Sequence, residues 1–338
     1  MRDVFVRELT RIAAERPEVM LLTADLGFGV LDDFARRFPK QFLNVGVAEQ
    51  NMTGLATGLA FEGRIVFTYS LGNFPSLRCL EQVRNDACYH GVNVKIVTVG
   101  GGMSYGAVGS SHHATEDLAI MRVLPCTTVM CPGDHWEVAQ ATRDMVDRPG
   151  VTYFRLDKSA APPSHRPDEV FLFGRIRKIA DGADATLIAT GGILGEAAKA
   201  AGILRSLGIA VRLLSCHTVK PLDLESILDA ARETGGIVTV EEHTVEGGLG
   251  GAVAEALLEA GGRPGFFTRI GLRSGFSSIV GSQQYLRSAY GLDAEAIVNA
   301  VTRGARTRAR SVQTRANAKS STLPQGDFAA ERRPEASR

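Results

Sequence analysis

The chain has 338 residues, 44% of them apolar and 22% charged, and at roughly 150 residues per domain this favours two domains with real buried cores. Its five cysteines (Cys79, Cys88, Cys126, Cys131, Cys216) form no CxxC pair and no metal-ligand spacing, so neither a disulfide framework nor a zinc module is expected. The net charge of +1 conceals a basic tail: residues 303–338 carry nine Lys/Arg against three Asp/Glu and leave the remaining 302 at −5, a body that gives no electrostatic reason to expect nucleic acid as a partner.

The chain opens on MRDVFVRELTRIAAERPEV, an amphipathic helix and not an apolar signal core. No apolar run reaches the ~18 residues that span a bilayer, so a cytoplasmic protein without a membrane partner is expected. Strand patterns follow at 19–24, 64–69, 93–99, 127–131 and 151–156, with helical stretches at 49–61 and 134–146 between them. Pro, Ser and charge then concentrate in DKSAAPPSHRPD at 157–168, a linker composition. A second series begins with a strand at 185–190 feeding GGILGEAAKAAGIL, then strands at 210–216, 236–240 and 267–272 and helices at 224–232 and 250–260. This alternation predicts an α/β protein of two doubly wound domains, with helices on both faces of parallel sheets. The expected boundaries are 1–158 for the first domain, 159–184 for the linker, 185–308 for the second domain and 309–338 for a disordered basic tail.

Two glycine-rich turns, GGILGEA and EGGLGGAVAEA, each follow a strand and open a helix. Such a turn either cradles a phosphate on the helix N-terminus or simply packs a helix tightly onto a strand. Neither carries the full dinucleotide fingerprint, and no Walker A sequence occurs. Glu49, in NVGVAEQN, begins a helix whose continuation MTGLATGLAFEG is small and apolar, which places its carboxylate in a crowded, poorly solvated position. It reads either as a helix-start carboxylate favoured by the macrodipole or as an acid–base group. His112 and His113, in GSSHHATEDLAIMR, are either a solvated turn ahead of a helix starting near Ala114 or a hydrogen-bonding pair at the strand end where α/β ligands bind.

The order of the segments ADL, NVGVAEQN, TYSLGNF, EQVRND, NVKIV and SSHHATEDLAIMRVLP resembles the pyrimidine-binding domain of the transketolase family, which includes deoxyxylulose-phosphate synthase and the beta subunits of the 2-oxo-acid dehydrogenases. HTVKPLD at 217–223 and VTVEEHTVEGGLGGAVAE at 238–255 resemble the family's C-terminal domain, so the likeness covers about residues 1–308. It implies thiamine diphosphate as cofactor, bound between chains. The family's diphosphate and Mg²⁺ site carries GDG, which is absent here; the nearest strings are PGDH at 132–135 and QGDF at 325–328. The chain thus resembles the C-terminal half of a split transketolase. That implies a separately encoded alpha subunit supplying the diphosphate and Mg²⁺ ligands, with the pairs joining into a heterotetramer of two alpha and two beta chains.

The resemblance also implies roles. Glu49 matches the glutamate that hydrogen-bonds the aminopyrimidine and favours the tautomer that activates the cofactor. Phe74 matches the aromatic platform for that ring, with Tyr69 as the second choice and a core position as the alternative for it. Asp25 and Leu26 match the segment beside the cofactor. His112 falls on the histidine that contacts the donor sugar, His113 stands beside it, and Arg2 matches a phosphate-binding arginine. Other positions depart from the family. Val108 replaces an aspartate that contacts a donor hydroxyl. Gly100 and Cys131 stand where sugar-phosphate-using members place a histidine and an arginine, and the usual Ser-containing segment is Gly27-Phe28-Gly29-Val30. Losing charge-assisted donors weakens recognition of phosphate. The expected function is the beta subunit of a two-carbon ketol transferase. The alternatives are a 2-oxo-acid decarboxylase or dehydrogenase subunit passing an acyl group to a lipoyl carrier, and a non-catalytic family member.

Overall fold

The structure is a computed structural model and describes residues 1–273 and 275–320, the last ten of these by backbone alone. The first half runs α1 (Arg2–Glu15), β1 (Val19–Thr23), α2 (Asp32–Arg37), β2 (Phe42–Asn44), α3 (Glu49–Phe61) and β3 (Ile65–Leu71). Two π-helical turns, Phe74–Arg78 and Val83–Cys88, then flank the single turn α4 (Leu80–Gln82), before β4 (Val94–Val99), α5 (Asp117–Val123), β5 (Thr127–Met130), α6 (His135–Asp147) and β6 (Val151–Leu156). The second half runs β7 (Arg177–Ala180), β8 (Ala185–Thr190), α7 (Leu194–Ser206), β9 (Val211–Ser215), β10 (Thr218–Lys220), α8 (Leu224–Glu233), β11 (Ile237–Thr244), α9 (Leu249–Glu259), β12 (Phe267–Leu272), α10 (Gln283–Ala289) and α11 (Ala294–Ser320).

Seven strands form the first sheet in the order β10-β5-β6-β4-β3-β1-β2, and five form the second in the order β12-β11-β8-β9-β7. All neighbours are parallel except β10 on β5 and β7 on β9. The continuous apolar runs of β1, β4 and β6 are buried along their whole length, as strands covered on both faces require. One face packs Phe5, Phe67, Tyr69 and Phe154, and the other packs Met52, Val66, Ile96 and Tyr153. Lys95, wholly buried in β4, donates to the carbonyls of Arg148 (2.6 Å) and Gly150 (2.8 Å), and burial pushes its pKa down to about 7.

Three strands escaped the sequence patterns. β2 and β10 have three residues each, too short for a period. β7 lies inside the stretch read as linker yet forms the edge of the second sheet. β10 also belongs by sequence to the second half but adds to the first sheet, so the halves are stitched together rather than strung on a linker. Helix α5 starts at Asp117, not near Ala114. Helix α11 continues to Ser320, through the first part of the span expected to be a disordered tail; residues 321–338 lie outside the described residues. No helix among the described residues is long and apolar enough to cross a membrane.

His217, just after β9, is buried with its ring centroid 4.5 Å from that of Phe171, and burial, with Arg177 nearby, pushes its pKa down to about 4. The folded chain therefore holds this imidazole neutral while the unfolded chain protonates it near pH 6.5, so the stability present above that pH is lost as pH falls toward 4. Denaturant unfolding at pH 7 and pH 4 should show wild type losing up to about 3 kcal/mol more than His217→Gln across this window. Parallel losses in the two proteins would contradict this.

Candidate functional site

Because β1, β2, β3 and β4 are parallel, their carboxyl ends share one edge, the place where open α/β sheets gather ligands. Each expected residue of the first domain's site except Arg2 and Tyr69 leaves that edge. Asp25 and Leu26 follow β1. Asp25 takes the left-handed conformation (φ 55°), which Asp tolerates better than most residues. Its N–H donates to Asn44 Oδ1 at 3.0 Å, and Asn44 Nδ2 donates back to its carboxylate at 3.3 Å. Thr23 Oγ1 donates to the Leu26 carbonyl at 2.9 Å. Asn44 Oδ1 also accepts from Gly46 N–H (3.1 Å), at a glycine whose φ of 74° turns the chain toward α3. One amide thus clamps the segment after β1 to the loop that delivers Glu49.

Glu49 is the first residue of α3 and only 5% exposed. Its Oε1 accepts from Arg78 Nη1 at 2.9 Å. The Arg78 guanidinium lies flat against Phe74, its central carbon 4.0 Å from the ring centroid, and the edge of His112 meets the same ring at a centroid distance of 5.5 Å and 65°. Glu49, Arg78, Phe74 and His112 therefore form one cluster. His112 is half-buried, whereas His113 is 4% exposed and burial holds its pKa below the ordinary histidine value. Of the pair, His112 faces the cluster. The Asn73 side chain donates to the Ser111 carbonyl and ties the loop of His112 to the strand end that carries Phe74.

Tyr69 is in the core, its ring stacked on Phe5 at 6.5 Å and 12°, and burial holds its phenol far above the usual range. It offers no face to a ligand, so Phe74 is the platform. Arg2 is exposed, pairs with Asp3 at 2.8 Å and lines a different cleft of about 210 Å³ together with Gly100, Tyr105, Asp157 and Lys158. Gly100 has φ 86°, and a Cβ there would collide with the Tyr105 ring. Tyr105 thus fills the space into which a histidine at position 100 would project. Val108 is exposed, and Cys131 is buried with its sulfur 3.6 Å from Arg155 Nη1.

Both glycine-rich turns are filled by carboxylates of the chain itself. Asp157 accepts from Gly192 N–H (2.5 Å), and Glu241 accepts from the N–H groups of Leu249 (2.7 Å) and Gly250 (2.8 Å). These turns pack helices and cradle no phosphate. Asp134 of PGDH caps α6 by accepting from Glu137 N–H and pairs with Arg177, both at 2.8 Å; QGDF lies outside the described residues.

Behind the edge, a buried network joins the two sheets. Arg155 on β6, fully enclosed, donates to Asp117 (2.9 Å) and to the carbonyls of Ala114 and Glu242 (both 2.9 Å). The Tyr153 hydroxyl donates to the same Asp117 oxygen at 2.6 Å. Glu242 accepts from Met103 N–H, Gln283 and Arg287. Since Gly102 and Ala114 bridge to each other, this network fixes both ends of the loop that presents His112. Sequence reasoning missed Arg78, Asn44 and Tyr105 as site residues. For Arg78 a signal existed, because it stands four residues after Phe74 in a helical stretch, and that spacing shares a face.

Residues 1–163 match the family described as the transketolase pyrimidine-binding domain, and residues 174–297 match the transketolase C-terminal domain. The chain belongs to the transketolase family. It is 37% identical to an apulose-4-phosphate transketolase chain of Phocaeicola vulgatus, one of that enzyme's separately encoded subunits, covering 88% of this chain and 94% of that one. With a 6-deoxy-6-sulfo-D-fructose transketolase subunit of a Clostridium species it shares 38% identity over 89% and 92% of the two chains. A 1-deoxy-D-xylulose-5-phosphate synthase of Pelotomaculum thermopropionicum is 34% identical over 88% of this chain but only 47% of its own length. Among solved structures, a split-gene transketolase described as an inactive beta4 tetramer superposes with a TM-score of 0.83 at 38% identity, covering 90% of this chain and 98% of that one. This transketolase chain therefore has the build of the split-gene beta subunits.

Proposed function

We propose that this chain is the beta subunit of a split, thiamine-diphosphate-dependent transketolase that moves a two-carbon ketol unit between sugars. The observation that carries the reading is the slot between the buried Glu49 carboxylate and the face of Phe74, in which a flat, nitrogen-rich group already sits. A slot of that shape and polarity fits the aminopyrimidine of thiamine diphosphate. When bound, the cofactor supplies an electron sink for the carbon–carbon bond broken in the donor sugar.

The chain's own residues do the rest. Glu49 shares a proton with the aminopyrimidine ring nitrogen; its burial keeps water from taking over that hydrogen bond. Phe74 stacks on the ring and fixes its plane, while Asp25 and Leu26 line the neighbouring strand end. His112, half-exposed beside Phe74, donates hydrogen bonds to the donor sugar, and His113 supports it from the protein side. Arg2, with Lys158 beside it in the strand-end cleft, receives an anionic end of a substrate. Two relatives carry a phosphate or sulfo group in their substrates' names, which suits that assignment.

Phe28 and Val47 are 73% and 74% exposed, with Leu43 and Leu55 also exposed close by in sequence. Large apolar side chains on both loops that frame Glu49 suit a surface covered by another chain. In the proposed assembly this is the alpha subunit, which holds the diphosphate and Mg²⁺, within a heterotetramer of two alpha and two beta chains. Among the described residues no three His, Cys, Asp or Glu side chains are grouped as a metal site would need.

The pair of subunits, mixed with thiamine diphosphate and Mg²⁺, should transfer a ketol unit from at least one member of a ketose panel. Release of CO₂ from pyruvate with no transfer from any ketose would contradict the proposal. Within this reading Phe74→Ala should weaken cofactor affinity of the pair about fivefold, since aromatic stacking is worth on the order of 1 kcal/mol. Unchanged affinity in a cofactor titration would remove Phe74 as the platform.

A further inference from the structure

The slot assigned above to the aminopyrimidine is filled by the chain's own Arg78. Its guanidinium stacks on Phe74 with the central carbon 4.0 Å from the ring centroid, and Nη1 donates to Glu49 Oε1 at 2.9 Å. A guanidinium and an aminopyrimidine share what such a slot reads. Both are flat, both offer a π face to an aromatic ring, and both direct an in-plane nitrogen toward a carboxylate. The two cannot occupy the space over Phe74 together.

Arg78 is also built to leave. Its side chain is 49% exposed while that of Glu49 is 5% exposed, so the guanidinium enters the slot from a stem already in solvent. Its partners among the described residues are Glu49 and Phe74. An ion pair with one half-exposed member is weak, whereas a bare Glu49 carboxylate in the same place would be costly.

We infer that Arg78 is a built-in occupant of the cofactor seat, holding Glu49 and Phe74 in place in the free subunit, and that it swings out when the aminopyrimidine enters. The inference rests on the cofactor seat proposed above. The exchange breaks and forms no covalent bond; one nitrogen partner of Glu49 replaces another. It follows that the isolated subunit is self-blocked, and that productive loading draws on the diphosphate contacts contributed by the alpha subunit to displace Arg78.

The test is calorimetric titration of the isolated full-length subunit with a neutral methylated aminopyrimidine, the ring of thiamine without its thiazolium, so that no partner contact and no cationic charge enters the comparison. Arg78→Ala should bind the probe about tenfold more tightly than wild type, the combined size of a weak ion pair and a cation–π contact. Arg78→Lys, which keeps the charge but loses the flat stack, should gain less. Millimolar guanidinium chloride should compete with the probe in Arg78→Ala, while sodium chloride at equal ionic strength should not. Unchanged or weaker binding in both variants overturns the inference. Glu49→Gln in the Arg78→Ala background separates the two ideas. If it lowers binding while Arg78→Ala gave no gain, the plug fails and the seat stands; if it leaves binding untouched, the seat itself is wrong.

Discussion

Glu49→Gln should lower ketol transfer by the assembled pair by about 10²–10⁴-fold, the range that a positioned acid–base group contributes, while leaving the subunit folded and associated. The replacement is nearly isosteric and keeps a hydrogen-bonding end group, but it cannot share a proton with a ring nitrogen. Structure alone gives little reason for a carboxylate here. Glu49 starts α3, where an acid gains on the order of 0.5 kcal/mol from the helix dipole, and its one charged partner, Arg78, is half-exposed. The measurement is steady-state kcat of wild-type and variant pairs, with circular dichroism and co-elution to confirm folding and assembly. Full activity in Glu49→Gln would mean that the chain keeps the family fold without its chemistry.

Asp117→Ala should destabilise the chain by about 3–5 kcal/mol, the cost of removing one member of a buried ion pair. Arg155 would keep a buried charge with only Asp157, 3.8 Å away, as a carboxylate partner, and the Tyr153 hydroxyl would lose its acceptor. The Arg155 contacts to the Ala114 and Glu242 carbonyls would then carry the joint between the sheets. Because Ala114 ends the loop that presents His112, activity should fall along with stability. Urea unfolding of the isolated subunit measures the first effect, and a loss under about 1 kcal/mol, the size of an exposed pair, would show that the network does not join the sheets.

Much of this was legible in the sequence for identifiable reasons. Long apolar runs such as β4 and β6 announce themselves because both faces are buried, and α3 begins at Glu49 as its small apolar continuation suggested. Glu49, Phe74 and His112 could be picked out by their segments, and the structure brings them into one cluster. What failed to show was set by partners far away in the chain. Tyr69 reads as an aromatic near a strand end, but Phe5 claims its face. The glycine-rich turns read as phosphate cradles until Asp157 and Glu241 are seen to fill them from elsewhere. β7 carries the composition of a linker edge and becomes a strand only because β9 offers it an unpaired flank. Arg78 looks like one of many surface arginines, and its meaning depends on a carboxylate 29 residues upstream.

The most direct measurement is a crystal structure of this chain with its alpha partner and thiamine diphosphate. The Glu49 carboxylate should lie within hydrogen-bond reach, about 2.6–3.2 Å, of the aminopyrimidine ring nitrogen, with the ring on Phe74 and Arg78 displaced toward solvent. An aminopyrimidine bound elsewhere, with Glu49 still paired to Arg78, would contradict this.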